Sequence, residues 1–129
     1  MREIKFRGKR VDNKEWVYGF YVCNTIERSR IYYKPFNEAS SNTYQFVIPE
    51  TVGQFTGLKD KNRKEIYEGD IIDTTTRIGV CVYHNGFFVI EDLNHESPND
   101  FIENKLWEII GNIHDASKLN EKLLLLWRK

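Results

Sequence analysis

The sequence is poor in residues that cross-link a chain, ligate metals or anchor it in a membrane. Its two cysteines, Cys23 and Cys81, form no CxxC pair and no Cys/His ligand spacing, so we expect two reduced, buried thiols and neither a disulfide nor a zinc site. The longest apolar run is Leu123–Trp127, whereas a membrane-spanning helix needs roughly 20 apolar residues. The N-terminal stretch MREIKFRGKR has no apolar signal core. We therefore expect a soluble cytoplasmic protein without membrane contact.

A net charge of either sign is also absent, because 19 Lys and Arg balance 19 Asp and Glu. The charges are nevertheless segregated: residues 1–36 hold nine basic and four acidic residues, and residues 37–129 hold ten and fifteen. The basic N-terminal end is a candidate contact for an anion or a nucleic acid through Arg2, Lys5, Arg7, Lys9 and Arg10. The alternative is that opposite charges meet within the monomer or between copies of it. The zero balance favours this alternative, since nucleic-acid-binding domains are usually strongly basic.

Short segments with apolar residues at alternate positions predict a mainly β fold. The segment REIKFR predicts an N-terminal strand at or near a sheet edge, and EWVYGFYV, rich in aromatic and β-branched residues, predicts a second strand. An Asp-Asn turn signal at residues 12–13 precedes that second strand, and Gly19 inside it indicates a bulge or a close backbone approach. Further strands are predicted at IYY, YQFVI and LWEIIGNI, whereas residues 24–43 are largely polar loop.

The dipeptide Asn85-Gly86 separates IGVCVYH from FFVIEDL and predicts a two-residue β-hairpin turn. Counting outward from the turn pairs Tyr83 with Phe88 and Cys81 with Ile90 on one face of the hairpin. Val82 then opposes Val89, and His84 opposes Phe87, on the other face. Because both faces carry apolar residues, we expect this hairpin to lie inside a curved sheet or barrel.

The C-terminal segment DASKLNEKLLLLWRK predicts a closing helix with Asp115 or Ser117 as N-cap. Its apolar stripe has the helical spacing i, i+4, i+7 and i+8, and consists of Leu119, Leu123, Leu126 and Trp127. The stripe either covers one mouth of a barrel or forms a self-association contact, since wide exposed apolar patches mark interfaces.

The most charged stretch of the chain is TGLKDKNRKEIYEGDII, residues 56–72, and it resembles a metal or phosphate site only in composition. Counted as a calcium loop from Asp60, it places Lys64 where an oxygen ligand is required. Gly57 is followed by no Gly-Lys-Ser/Thr, which excludes a phosphate-binding P-loop. The three histidines lack metalloprotease spacing, and no nucleophile-elbow glycines surround Ser40 or Ser41. We therefore predict two charged turns around a short strand, with no catalytic residue, metal or cofactor.

Several segments in fixed order resemble the YopX family, small proteins carried mainly by bacteriophages and prophages. These segments are EWVYGFYV, VGQFTGLKDKNRKEIYEGDII, GVCVYHNGFFVI and WEIIGNIHD, which together span most of the chain. The family usually has Gly at the position of Arg63, and residues 24–43 match no family pattern. The resemblance implies a β-rich fold, phage or prophage origin, action in the cytoplasm of a bacterial host, and no established activity.

These observations lead to one fold expectation and two functional hypotheses. We expect a single domain over residues 1–129, built as a small SH3-like or irregular barrel of short antiparallel strands. Its parts are N-terminal strands and a polar loop (1–50), a core β motif (51–114) and the C-terminal helix (115–129). The favoured function is that of a non-catalytic protein-interaction module that self-associates or engages a host or phage protein. The alternative is a nucleic-acid-binding accessory protein that uses the basic N-terminal end and aromatic residues for stacking, with Tyr32, Tyr33 and Phe36 as candidates.

Overall fold

The computed structural model describes residues 3–23, 28–33, 44–75, 77–92, 99–100 and 106–115. The chain divides into two compact units, residues 1–55 and residues 56–129, and each is described by itself. The predicted division at residues 50 and 114 stays a prediction. The strands are β1 (Phe6–Lys9), β2 (Trp16–Cys23), β3 (Ser29–Tyr32), β4 (Tyr44–Phe46), β5 (Gly53–Lys59), β6 (Glu65–Tyr67), β7 (Asp70–Asp73), β8 (Ile78–His84), β9 (Phe87–Asp92), β10 (Asn99–Asp100) and β11 (Glu108–Asn112).

The first unit is an antiparallel sheet in which β1 to β4 lie in the order β4-β3-β2-β1, and the first residues of β5 pair with β1. The turn between β1 and β2 is where Asp12 and Asn13 predicted one. The Asp12 carboxylate accepts hydrogen bonds from Nε and Nη2 of Arg10 at 2.9 and 2.7 Å, and Asn13 Oδ1 accepts the Glu15 N–H at 2.9 Å. Side-chain oxygens of the turn thus accept hydrogen bonds from donors within two residues, as Asp and Asn commonly do in turns.

The inner face of this sheet holds the core of the first unit. Ile31 and Val47 are buried there, and the Phe6 and Tyr21 rings lie 5.7 Å apart between centroids. A Cβ at Gly8 would come within 3.1 to 3.2 Å of Val47, Ile31 and Val52, so any larger residue there would require these side chains to shift by a few tenths of an ångström. The backbone of β3 approaches Gly19 closely, as the sequence predicted: a Cβ at Gly19 would overlap the carbonyl oxygen of Tyr32.

The second unit is built on a five-stranded antiparallel sheet in the order β10-β9-β8-β7-β11. One face of the sheet packs a cluster of Ile66, Ile72, Cys81, Ile90 and Trp107. The other face buries Ile71 and Val80 beneath partly buried aliphatic side chains. Apolar burial on both faces explains why these strands have continuous rather than alternating apolar sequences.

The predicted hairpin is confirmed in turn, register and pairing. Asn85 and Gly86 have φ angles of 50° and 89°, the positive values that a two-residue type I′ turn requires. All four predicted pairs are present: Tyr83 with Phe88, Cys81 with Ile90, Val82 with Val89 and His84 with Phe87. The hairpin lies inside its sheet between β7 and β10, but its tip is solvent-exposed. Burial therefore decreases from the sheet centre toward the turn.

Three expectations about the fold need correction or fall outside the described residues. The mainly β, antiparallel character is confirmed, but the fold is not a closed barrel: within the described ranges no hydrogen bonds join β10 to β11, so that sheet has two edges. The C-terminal helix is not confirmed, because Asp115 lies in a bend and residues 116–129 are outside the described part of the chain. Cys81 is buried as expected, but Cys23 is exposed; neither forms a disulfide. In the described portion of the chain, no helix has the length and apolarity to cross a membrane.

Candidate nucleic-acid interface

The charged stretch 56–72 consists of two turns around the short strand β6, as predicted. Asp60 is buried, and its Oδ1 accepts the N–H groups of Asn62 and Lys64 at 2.8 and 2.9 Å. Its Oδ2 accepts the Ile109 N–H at 3.0 Å, which ties the turn to β11. The second turn is closed by Asp70, whose Oδ2 accepts the Tyr67 N–H at 2.8 Å. These carboxylates are occupied by backbone donors, so they stabilise turns rather than perform chemistry.

Contacts from the first turn to the start of β11 strengthen this structural role. The Lys61 N–H donates to the Trp107 carbonyl oxygen at 2.8 Å. The Lys61 ammonium lies 3.5 Å from the Glu108 carboxylate, which also accepts the Asn62 side-chain amide at 3.4 Å. Among the described residues, no group of three or more His, Cys, Asp or Glu could hold a metal ion.

The outer face of the first unit's sheet is the surface with the clearest capacity to bind a ligand. Strands β1 to β4 read FRGK, WVYGFYVC, SRIY and YQF, and contain no Asp or Glu. Their three cations all lie on the outer face, where aromatic and aliphatic side chains surround them; Arg7 is buried there with 6% of its surface exposed, whereas Lys9 and Arg30 are partly exposed. We call this surface the basic-aromatic face; its members are Arg7, Lys9, Trp16, Tyr18, Phe20, Val22, Arg30, Tyr32, Tyr44 and Phe46.

The strand register arranges these side chains in cross-strand rows. Phe20 on β2 pairs with Tyr32 on β3, which pairs with Tyr44 on β4. The next row consists of Val22, Arg30 and Phe46. Directly opposed residues on neighbouring strands have Cβ atoms about 4.5–5.5 Å apart, so each row is a continuous strip. Toward β1 the rows become pairs, Tyr18 with Arg7 and Trp16 with Lys9.

The rings of this face remain accessible although they are large and apolar. The exposed fractions are 56% for Phe20, 48% for Phe46, 46% for Tyr18 and 37% for Tyr44. Every strand residue of the first unit among its exposed large hydrophobics lies on this one face. A cluster of exposed apolar side chains on one sheet face is typical of a binding surface.

Cation–π contacts position the basic groups of the face. The Arg7 guanidinium carbon lies 4.5 Å from the centroid of the Trp16 ring, and the Lys9 ammonium lies 5.5 Å from the same ring. Arg30 lies between two rings, 5.8 Å from Tyr32 and 5.4 Å from Tyr44. The Arg30 Nε atom is buried and has no hydrogen-bond partner in the ranges that the structure describes. The face of an aromatic ring attracts a cation and so orders its position.

The predicted basic residues have different positions. Arg7 and Lys9 come together on the basic-aromatic face. Lys5, two residues before Arg7, lies over the Phe55 ring at 5.3 Å and 3.7 Å from the Glu3 carboxylate. Arg10 is held in the turn by Asp12, and this hydrogen-bonded pairing raises the pKa of Arg10 and lowers that of Asp12. Arg2 lies outside the described residues.

Of the aromatic candidates, Tyr32 lies on the basic-aromatic face and Phe36 lies outside the described residues. Tyr33 accepts a hydrogen bond on its hydroxyl from Gln45 Nε2 at 3.3 Å. Sequence reasoning missed Tyr18, Phe20, Arg30, Tyr44 and Phe46 as site residues. The spacing of two between Tyr18, Phe20 and Val22 was the available signal, but β2 is apolar at nearly every position and does not show which face is open. The apolar stripe of Leu119, Leu123, Leu126 and Trp127 lies outside the described residues.

Two further features of the first unit border this face or lie behind it. A cavity of about 370 Å³ opens beside Phe46 and is lined by Val11, Asp12, Gln45 and Phe46. On the inner side, the Tyr21 hydroxyl lies 3.0 Å from Ser29 Oγ, which donates to Cys23 Sγ at 3.5 Å. Hydrogen bonds with Ser29 and then Tyr21 lower the pKa of the Cys23 thiol.

Comparison with known proteins gives one family match. The family model described as YopX protein matches residues 5–121, nearly the whole chain. No curated protein matches the chain.

Proposed function

The chain belongs to the YopX family, and we propose that it is a non-catalytic nucleic-acid-binding accessory protein whose ligand lies on the basic-aromatic face. Phage or prophage origin and action in the cytoplasm of a bacterial host are part of this proposal. They rest on the family resemblance. The basic-aromatic face supports the nucleic-acid hypothesis; the protein-interaction hypothesis rested instead on the absence of a catalytic constellation, the C-terminal apolar stripe and the segregated charge.

The observation that supports the proposal is the absence of any carboxylate from β1 to β4 while Arg7, Lys9 and Arg30 share one face. The overall charge is therefore a poor guide, because the acidic residues are concentrated elsewhere in the sequence. Residues 1–55 hold nine Lys and Arg against six Asp and Glu, and residues 56–129 hold ten against thirteen. A phosphate backbone responds to the local density of cations at the contact surface.

Cations and rings on one surface match the two parts of a nucleotide. Lys and Arg bind phosphate oxygens and release condensed counterions, which makes the affinity depend on salt. Aromatic side chains and the planar Arg guanidinium can contact bases. Arg30 combines both capacities, because two tyrosine rings hold its guanidinium among the exposed rings.

The test is the salt dependence of binding to a fluorescently labelled oligonucleotide, measured by fluorescence anisotropy. With two phosphate contacts, from Lys9 and Arg30, affinity for a single strand should fall about sevenfold between about 50 mM and about 200 mM salt. The double variant Lys9→Gln with Arg30→Gln should reduce the slope of log affinity against log salt by about 1.4. The matched control, Lys59→Gln with Lys64→Gln, removes the same charge from the exposed β5–β6 region and should leave the slope unchanged. Absence of binding to DNA and RNA at low salt would eliminate the proposal.

A second candidate function, a protein-interaction module that self-associates, is supported by the tip of the β8–β9 hairpin. Tyr83 is 55% and Phe87 is 66% exposed, and the two lie on opposite faces of the hairpin. Light scattering of the intact chain and of the Tyr83→Ser, Phe87→Ser double variant tests this candidate. Self-association requires an oligomer in the intact chain that the double variant weakens; a monomer in both removes it.

A further inference from the structure

We infer that the basic-aromatic face takes the single-stranded form of nucleic acid, with bases stacked on its exposed rings and phosphates beside its cations. This inference rests on the proposed function and specifies the ligand of the same site. DNA and RNA single strands share the required chemistry, so both belong to the ligand class.

The accessibility of the rings is the first observation that favours a single strand. Phe20 and Phe46 each expose about half of their surface, and neither side chain can contribute a hydrogen bond to a base edge. A phenyl ring gains most from a nucleotide when a base lies flat against it. In a duplex the face of each base is already covered by its neighbours, so a ring can reach it only after the base is unstacked. The exposed phenyl rings therefore favour a strand whose bases are already free.

The spacing of the rings leads to the same ligand. Tyr18 and Phe20 are two residues apart on β2 and lie on the same face, which separates them by about 6.8 Å along the strand. Successive charges of one B-form strand are only about 3.4 Å apart along the helix axis. Neighbouring bases that each contact one of these rings must therefore be separated from each other. A flexible single strand adopts such a spacing at low cost, whereas a duplex loses stacking and pairing.

The arrangement of the rings in cross-strand rows is a third observation that favours a single strand. Phe20, Tyr32 and Tyr44 form one row across three strands, and the Tyr32 and Tyr44 rings are 5.2 Å apart with planes tilted by 44°. The next row places Arg30 between Val22 and Phe46. A sheet surface with rings at its centre is a known geometry for stacking a few unpaired bases. The grooves of a duplex are instead read by an inserted helix, ribbon or arm.

The cations have a defined place in this arrangement. Arg7 lies opposite Tyr18 and Lys9 opposite Trp16, on the β1 side of the rings. Arg30 lies on β3, on the other side of β2. Because Arg7 is buried, the cations that can face the connecting phosphates are Lys9 on the β1 side of the rings and Arg30 on the β3 side. Variants that remove a ring and variants that remove a cation should therefore both weaken binding of the same single strand.

The experiment compares a labelled single strand of about 20 nucleotides and mixed sequence with the same strand annealed to its complement. Anisotropy titrations of the intact protein at low salt are run with DNA and with RNA of the same sequence. We expect the single strand of one or both nucleic acids to bind at least about tenfold more tightly than its duplex. Phe20→Ser and Phe46→Ser should each weaken single-strand binding about tenfold, the effect of losing one base–ring stack.

The matched control is Phe87→Ser, which removes a comparably exposed phenyl ring from the second unit and should leave binding unchanged. Near-UV circular dichroism and thermal unfolding establish that each variant is folded. The ratio of the affinities for single strand and duplex is measured on the unaltered protein and so does not depend on the folding of any variant. Equal affinity for single strand and duplex, with both ring variants binding normally, would overturn this inference and leave nucleic-acid binding standing. Absence of binding to every oligonucleotide would overturn the proposed function itself, and this inference with it.

Discussion

The carboxylate of Asp60 accepts a hydrogen bond from the backbone N–H of Ile109 at 3.0 Å, across 49 positions of sequence. Asp60 thereby joins the turn between β5 and β6 to the last described strand. Because the same carboxylate also accepts two N–H groups within its own turn, one side chain sets both the turn conformation and its attachment.

Replacing Asp60 should therefore destabilise the second unit although the residue lies in a turn. We expect Asp60→Ala to lower the free energy of unfolding by about 2–4 kcal/mol, because three backbone donors lose their acceptor. Asp60→Asn should recover only part of this loss, since one of its side-chain atoms becomes a donor that faces another donor. Urea unfolding measures both changes. The control is Asp73→Asn: within the described part of the chain, Asp73 Oδ1 accepts only the exposed Thr75 N–H, so a loss comparable to that of Asp60→Asn would contradict this account.

Arg63, where the family resemblance led us to expect Gly, has a left-handed backbone conformation. Its φ angle is 66°, a left-handed conformation that costs a residue with a Cβ about 1–2 kcal/mol. Arg63→Gly should consequently raise the free energy of unfolding by about 0.5–1 kcal/mol, after the greater flexibility of glycine in the unfolded chain is counted. Lys64→Gly, one residue further at ordinary φ, is the control and should destabilise. Thermal unfolding midpoints that fall for both variants would refute the strain at Arg63.

Gly19 allows β2 and β3 to approach each other beside the basic-aromatic face. We expect Gly19→Ala to destabilise the protein by about 3 kcal/mol or more, because the new methyl group meets the rigid backbone carbonyl of Tyr32. Gly86→Ala is the comparison: its φ of 89° makes alanine strained, but nothing lies within 4 Å of the new methyl group. That variant should lose about 1–2 kcal/mol. Chemical unfolding that ranks the two in the opposite order would contradict the close approach.

The two cysteines should differ in their reactivity toward a thiol reagent under native conditions. Cys23 is exposed and Cys81 is buried, and hydrogen bonds with Ser29 and Tyr21 lower the pKa of Cys23. A lower pKa means more thiolate at a given pH, so Cys23 should react first and its rate should rise at lower pH than that of a free thiol. Ser29→Ala removes the largest cause of the shift, so the pH midpoint of the reaction should move upward. An unchanged midpoint in folded Ser29→Ala would show that Ser29 does not stabilise the thiolate.

Much of the second unit was predictable from local sequence, because short turns determine the pairing of the strands beside them. Asn85-Gly86 fixes which residues of β8 and β9 oppose each other, and all of the predicted pairs are present. The polar turns on either side of β6 could likewise be predicted from the turn-forming residues Asp60 and Gly69. The long-range bond from Asp60 to Ile109 was not, since no local pattern identifies a partner 49 positions away.

The basic-aromatic face could not be predicted for a related reason. Its rows combine Phe20 with Tyr32 and Tyr44, and residues 24–43, which separate β2 from β4 apart from the short β3, have little periodicity. Strand β2 has apolar side chains on both faces, so alternation alone does not show which face is buried. The barrel expectation failed on the same ground: apolar residues on two faces indicate burial, but closure depends on hydrogen bonds between particular edge strands.

The most direct test of the central claim is the low-salt affinity of the Lys9→Gln, Arg30→Gln double variant for a labelled single strand. If the basic-aromatic face binds phosphates, this variant should bind at least about tenfold more weakly than the unaltered protein. The Lys59→Gln, Lys64→Gln variant, which has the same net charge, should bind like the unaltered protein. Equal weakening by both double variants would show that only total charge matters and would contradict a binding site on this face.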